Sequence, residues 1–200
     1  TRDDEALLAL LRTLQAAYGK TTVTAEDALR LDGLRNAGAV LSADLLATAE
    51  AEIEIEFDQP DARALELVNK TNQWNLDGRR LEEATFRAHG EDPARFLLSV
   101  SYRDKFGPLG KIAVLMGRRD EALVDTWVMS CRAFSRHVEH HTLRALFDHL
   151  GVDRIRFGLV ATERNGPLRE YLGPLLEDGV LTRARFEAAL PTLHAKVTRR

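Results

Sequence analysis

Polar and apolar residues alternate through Glu50-Ala-Glu-Ile-Glu-Ile-Glu-Phe57, the period of a strand with one buried face. Ala51, Ile53, Ile55 and Phe57 form its inward side. Before it the period is helical. Leu7, Leu8, Leu10, Leu11, Leu14 and Ala17 make one stripe that stops at Gly19. Thr24-Ala-Glu-Asp27 caps a second helix running to about Asn36, and Ser42-Ala-Asp-Leu45 opens a third. After the strand, Gln59-Pro60-Asp61 is a break, and residues 62–70 read as a helix with Leu65, Leu67 and Val68 apolar.

Three strands follow, over residues 95–102, 111–116 and 122–129. Gly107-Pro-Leu-Gly110 is the expected tight turn between the first two, and Arg118-Arg-Asp120 between the next. Val138, Leu143, Leu146, Phe147 and Leu150 have helical spacing, with Gly151 placed to end that helix. A strand over 154–161 comes next, then a helix from Asn165 with Pro167 in its first turn. A last short helix spans 182–190, capped by Thr182 and stopped by Pro191. The order from residue 51 predicts an α/β fold with a mixed sheet. Strands 122–129 and 154–161 should be parallel across a right-handed crossover and splay near Cys131. Ligands of such sheets bind beyond the C-terminal strand ends, here around 130–136.

Composition narrows the function. The net charge of −3 over 200 residues gives no basic footprint for nucleic acid. No apolar run approaches a membrane span, so no membrane partner is expected. One cysteine excludes an internal disulfide framework or a thiolate-rich zinc site, which makes a reducing, cytoplasmic setting the default. His137 and His141 are one helical turn apart, but no third ligand follows, so no metal is expected.

The candidate chemistry lies in Trp127-Val-Met-Ser-Cys-Arg-Ala-Phe-Ser-Arg-His-Val-Glu-His-His141. Strand, short basic loop and helix start aim unpaired N–H groups at an anion. Cys131 is either a small core residue or a nucleophile whose thiolate Arg132, Arg136 and the helix end would favour. Asn72, Gln73 and Asn75 form an amide cluster that ends a helix or holds a substrate. Arg79 and Arg80 pair with an anion or sit in solvent, and Asp104 is a turn former or an acid.

Together these residues resemble the GNAT acyltransferases, and more closely the C-terminal half of FkbH-like proteins. The resemblance is carried by Lys70-Thr-Asn-Gln-Trp-Asn-Leu76 with Arg79-Arg80, by Asp104-Lys-Phe-Gly107 with Gly110, by Met129-Ser-Cys-Arg132 with Arg136 and Glu139, and by Asn165 with Pro167 and Tyr171. FkbH-like proteins join a haloacid-dehalogenase-type (HAD-like) phosphatase domain to a GNAT-like domain and load glyceryl groups from 1,3-bisphosphoglycerate onto acyl carrier proteins in polyketide pathways. The likeness implies a GNAT-like mixed sheet over 46–200. Residues 1–45 would be a helical linker or the tail of a preceding HAD-like domain.

It further implies Cys131 as acyl carrier, His137 as base and Tyr171 as acid. Asn72, Gln73, Asn75, Arg80, Asp104, Arg132, Ser135, Arg136, Glu139 and Asn165 would bind substrate. The implied partners are an acyl carrier protein and a HAD-like phosphatase, fused or separate. No tightly bound cofactor is expected; the phosphopantetheine arm of the carrier would be co-substrate. The HAD Asp-x-Asp nucleophile motif is missing from this chain. Ser135 and His137 also stand where such loops carry small residues, which disfavours the pyrophosphate of coenzyme A but leaves room for one phosphate. A non-catalytic docking domain for a carrier protein or phosphatase is the alternative.

Overall fold

The computed structural model describes residues 46–200; the helices expected within 1–45 lie outside the described residues. Strand β1 (Glu52–Phe57) buries Ile53 and Ile55, as the alternation predicts, and leaves its glutamates and Phe57 half-buried. Helix α1 (Ala62–Lys70) starts where Asp61 accepts from the Ala64 N–H at 2.8 Å, and buries Ala64, Leu67 and Val68. Helix α2 (Glu83–Glu91) leads to β2 (Arg95–Asp104), β3 (Gly107–Arg118) and β4 (Leu123–Met129). A 3-10 turn at Cys131–Ala133 precedes α3 (Val138–Leu150), which Gly151 ends in a left-handed conformation, its N–H on the Phe147 carbonyl at 3.0 Å. Then come β5 (Arg154–Phe157), α4 (Gly166–Leu172), β6 (Val180–Thr182), α5 (Arg183–Ala188) and β7 (Lys196–Arg199).

The seven strands form one sheet in the order β6-β5-β4-β3-β2-β1-β7. β4 and β5 are parallel, as are β1 and β7; the other neighbours are antiparallel. The expected mixed sheet flanked by helices is therefore present. One core layer joins Ile55, Leu98, Val100 and Trp127 to α3 and α4; the other joins Leu97, Val114, Met116 and Val128 to α1 and Phe86 of α2.

Three expectations about elements need correction. The β2–β3 turn is Lys105-Phe106, because Asp104 pairs with Gly107 and its side chain accepts from the Phe106 N–H at 2.9 Å; residues 107–110 lie within β3. The strand after α3 stops at Phe157 instead of reaching 161. Finally, α2, β6 and β7 were not foreseen. Only Phe86 and His89 of α2 are buried, and every residue of β7 is exposed, so neither element carries a hydrophobic period.

The site is positioned by what happens beside β4. β5 pairs with it only at Leu123↔Arg156 and Val124↔Phe157, and the two strands then part. Trp74, Asn75 and Leu76 enter the gap. The Leu76 N–H donates to the Trp127 carbonyl at 3.0 Å, the Met129 N–H to the Trp74 carbonyl at 3.1 Å, and the Val160 N–H to the Leu76 carbonyl at 3.0 Å. The splay expected near Cys131 is real, and the chain's own backbone fills it.

Candidate functional site: the C-terminal end of β4

Four pieces of chain meet at the end of β4: the 74–76 insert, the 130–137 loop, the first turn of α3 and one face of α4. Asn165, fully buried at the start of α4, fastens two of them. Its Nδ2 donates to the carbonyls of Asn75 at 3.0 Å and Val160 at 2.8 Å, and its Oδ1 accepts from the Thr162 N–H at 2.9 Å. Asn75 is equally committed. Its Nδ2 donates to the Thr71 carbonyl at 3.0 Å and its Oδ1 accepts from the Gly78 N–H at 2.8 Å. Arg80 closes the end of α1, its Nη1 reaching the carbonyls of Val68 at 3.0 Å and Thr71 at 2.9 Å and its Nη2 the side chain of Asn72. Asn72 and Gln73 are exposed.

Arg136 is held from three sides. Its Nη1 donates to the Arg132 carbonyl at 2.9 Å, its Nε lies 3.7 Å from the Asp104 carboxylate, and its guanidinium sits 5.6 Å above the Tyr102 ring. The Tyr102 hydroxyl donates to the same carboxylate at 3.1 Å. Burial and the neighbouring Asp104 push the Tyr102 phenol up. Asp104 thus forms the hairpin turn and anchors the 130–137 loop to β2.

Ser135 and His137 both have left-handed backbones, φ 63° and 56°. The loop keeps a glycine-type conformation with side chains in place, a strain of about 1–3 kcal/mol per residue. No described carbonyl accepts from the N–H groups of His137, Val138 or Glu139. Burial pushes His137 below its ordinary value, leaving a neutral imidazole at pH 7. Cys131 is exposed, unlike most lone cysteines, and Arg132 beside it reaches the Ser130 hydroxyl through Nε at 3.4 Å.

Beneath this loop is an aromatic cluster. Trp74 is its hub, with ring centroids of Trp127, Phe134 and Tyr171 at 5.7, 5.5 and 5.3 Å. Tyr171 also meets Trp127 at 6.1 Å and His140 at 5.3 Å. Glu139, 8% exposed, approaches from the first turn of α3. Its Oε1 is 3.1 Å from Nδ1 of His140, but out of line for a hydrogen bond. Burial, with Glu139 adding to it, pushes the Tyr171 phenol far up, so it is a protonated donor at neutral pH.

The structure thus brings Glu139 and Tyr171 together and sets Cys131, Arg132, Ser135 and His137 on the loop above. It spends Asn75, Arg80, Asp104, Arg136 and Asn165 on internal bonds. Sequence reasoning gave no role to Trp74, Trp127 or Phe134, and weighed His140 only as a base or metal ligand. The available signal was that both tryptophans of the chain lie within the candidate stretches, Trp74 in 70–76 and Trp127 at the start of 127–141. No group of three or more His, Cys, Asp or Glu among the described residues is placed to hold a metal. No described helix is long and apolar enough to cross a membrane.

A phosphopantetheine arm would meet unpaired N–H groups for its phosphate at the start of α3. Its amides cannot add along the parted half of β4, because residues 74–76 already occupy those backbone groups.

No protein-family model matches the chain, and no curated protein matches it. Solved structures are similar in part. One is a protein from T. thermophilus designated a candidate acetyltransferase; it is 17% identical, with 71% of this chain and 94% of that one covered, at a TM-score of 0.37. Another protein with the same designation is 14% identical, with 72% and 92% covered, also at 0.37. Overlap that loose carries no argument about this chain. Its own topology defines the class, an α/β protein with a mixed sheet and a filled splay beside its central parallel pair.

Proposed function

We propose that the chain is an acyl-transferring domain of GNAT-like design, related to the C-terminal half of FkbH-like proteins. Cys131 receives a glyceryl or similar short hydroxyacyl group and passes it to the thiol of a carrier protein. The observation that carries this reading is the exposed Cys131 thiol at the end of β4, ahead of the open N-terminus of α3. In the first step the Cys131 thiolate attacks the carbonyl carbon of an acyl phosphate; the C–O bond breaks and phosphate leaves. In the second the carrier thiolate attacks the Cys131 thioester, and the Cys131 thiolate departs. Each step exchanges one acyl bond for another and needs no oxidant or reductant. His137, neutral at pH 7, is the base that takes the proton of the incoming thiol.

Because the splay is filled, the carrier arm approaches Cys131 from solvent, with its phosphate at the start of α3. Loading of carrier protein by wild-type and Cys131→Ala chains, supplied with acyl phosphate, tests this. Loss of transfer with carrier binding retained supports the relay; full transfer by the variant sinks it.

The non-catalytic docking reading has one observation in its favour: Arg136, Arg80, Asn75 and Asn165 all serve internal bonds. Under it the carrier protein binds equally to both chains and neither becomes acylated.

A further inference from the structure

Buried polar atoms almost always find a partner. Five that do not converge on one place here: Nε1 of Trp74 and of Trp127, the hydroxyl of Tyr171, Nδ1 of His140 and Oε2 of Glu139. Ring contacts of 5.3 to 6.1 Å tie Trp74, Trp127, Tyr171 and His140 into one cluster, and Glu139 joins it through Oε1, 3.1 Å from His140 Nδ1. Trp127 is fully buried, Trp74 is 6% exposed and Glu139 8%. Elsewhere the described fold satisfies its buried amides closely, Asn75 and Asn165 being the nearest examples. An isolated failure would be packing noise; three donors and a carboxylate oxygen around one aromatic hub form a pattern.

We infer that Trp74, Trp127, Tyr171 and Glu139 form a recognition site for a compact hydroxyacyl group. The indole N–H groups and the phenol donate to its carbonyl and hydroxyl oxygens, and Glu139 accepts from a hydroxyl. This rests on the acyl-transfer reading for its place beneath Cys131 and adds what selects the acyl group. A purely hydrocarbon chain would leave all four groups unpaired, so the site discriminates by hydroxyl content more than by length. A dianionic phosphate is disfavoured here by the Glu139 carboxylate, whose charge already acts on Tyr171. None of the five atoms is open to solvent, so the ligand enters by displacing the outer wall. That wall is Phe134, His140 and Tyr171, which are half-buried, whereas Trp74 and Trp127 form the inner one.

Trp74 and Trp127 are the only tryptophans in the chain, so its nitrogen-15 spectrum has two indole signals, both from this site. The probes are glyceramide and propanamide, which differ by two hydroxyls and cannot acylate Cys131. Glyceramide should shift both indole signals saturably, and propanamide should bind at least about tenfold more weakly. Trp74→Phe, which keeps a ring but removes a donor, should weaken glyceramide binding by about fivefold or more. Should that variant misfold by circular dichroism, Tyr171→Phe removes only the hydroxyl and should weaken binding similarly. Indole signals unmoved by glyceramide up to its solubility would overturn the inference, as would equal shifts with propanamide. Because neither amide needs Cys131, binding without transfer would refute the relay alone, and transfer without hydroxyl selectivity would refute this site alone.

Discussion

Replacing Asn165 by alanine probes the joint that shapes the site. The side chain is fully buried and makes three hydrogen bonds: to the carbonyls of Asn75 and Val160, and from the Thr162 N–H. Alanine leaves two carbonyls and an N–H without partners. Each such group costs about 1–3 kcal/mol, and the low end applies where the 158–165 loop can relax toward water. The expected loss is therefore about 3 kcal/mol. In urea, with a slope of about 2 kcal/mol per molar, the midpoint should fall by about 1.5 M at unchanged slope. Asn165→Asp keeps the acceptor for Thr162 but turns an oxygen toward two carbonyls, so it should lose at least as much. Tryptophan emission should shift as well, since Trp74 precedes the Asn75 that Asn165 holds. A loss under about 0.5 kcal/mol with unchanged emission would refute the idea that Asn165 locks the insert into the splay.

Acid should weaken the fold through its histidines. Burial, with Arg144 adding to it, pushes His141 from 6.5 down to about 4, and His89, His137 and His149 are also lowered. A lowered histidine takes up its proton in the unfolded chain first, so stability is full above pH 6.5 and drains as pH falls toward 4. At about 1.4 kcal/mol per unit, His141 alone accounts for roughly 3 kcal/mol, and His141→Leu should flatten a urea-midpoint profile between pH 7 and 4.5. A wild-type profile already flat there would contradict the burial argument. Gly117→Ala places a Cβ 1.9 Å from the Leu123 carbonyl and 2.7 Å from Phe96, so β3 must shift; a loss of about 3 kcal/mol is expected in thermal unfolding. Arg80→Met uncaps α1 and should cost about 1 kcal/mol while leaving carrier binding unchanged; a binding defect without a stability loss would make Arg80 a ligand instead. Cys131→Ala, at an exposed position, should stay within about 0.5 kcal/mol of wild type in urea.

Where a face was buried, its period was legible. The Glu–Ile alternation placed β1, and Val138 to Leu150 placed α3 with its glycine end. What escaped was built from groups without a period. The edge strand β7 exposes every residue, and β6 has three residues. Asp104 closed the hairpin by accepting from the Phe106 N–H, which outranked the two glycines that suggested a later turn. The candidate stretch itself was legible from the strand–loop–helix order. The internal duties of Arg136 and Asn165 were not, because their partners are remote in sequence, Asp104 and Asn75 respectively. Nor could spacing bring Trp74 against Trp127, a contact that exists because the 74–76 insert takes the place β5 vacates.

The central claim is that Cys131 carries the acyl group, and the most direct measurement is the mass of the chain after thioester exchange. The full chain would be incubated with the N-acetylcysteamine thioester of glycerate, whose thiol mimics the end of the carrier arm, then digested to locate any adduct. The account expects one glyceryl group, on the peptide containing Cys131, formed at neutral pH and released by added carrier thiol; Cys131→Ala should remain unmodified. A chain that stays unmodified, or carries its adduct on a lysine or histidine equally in both proteins, would contradict it.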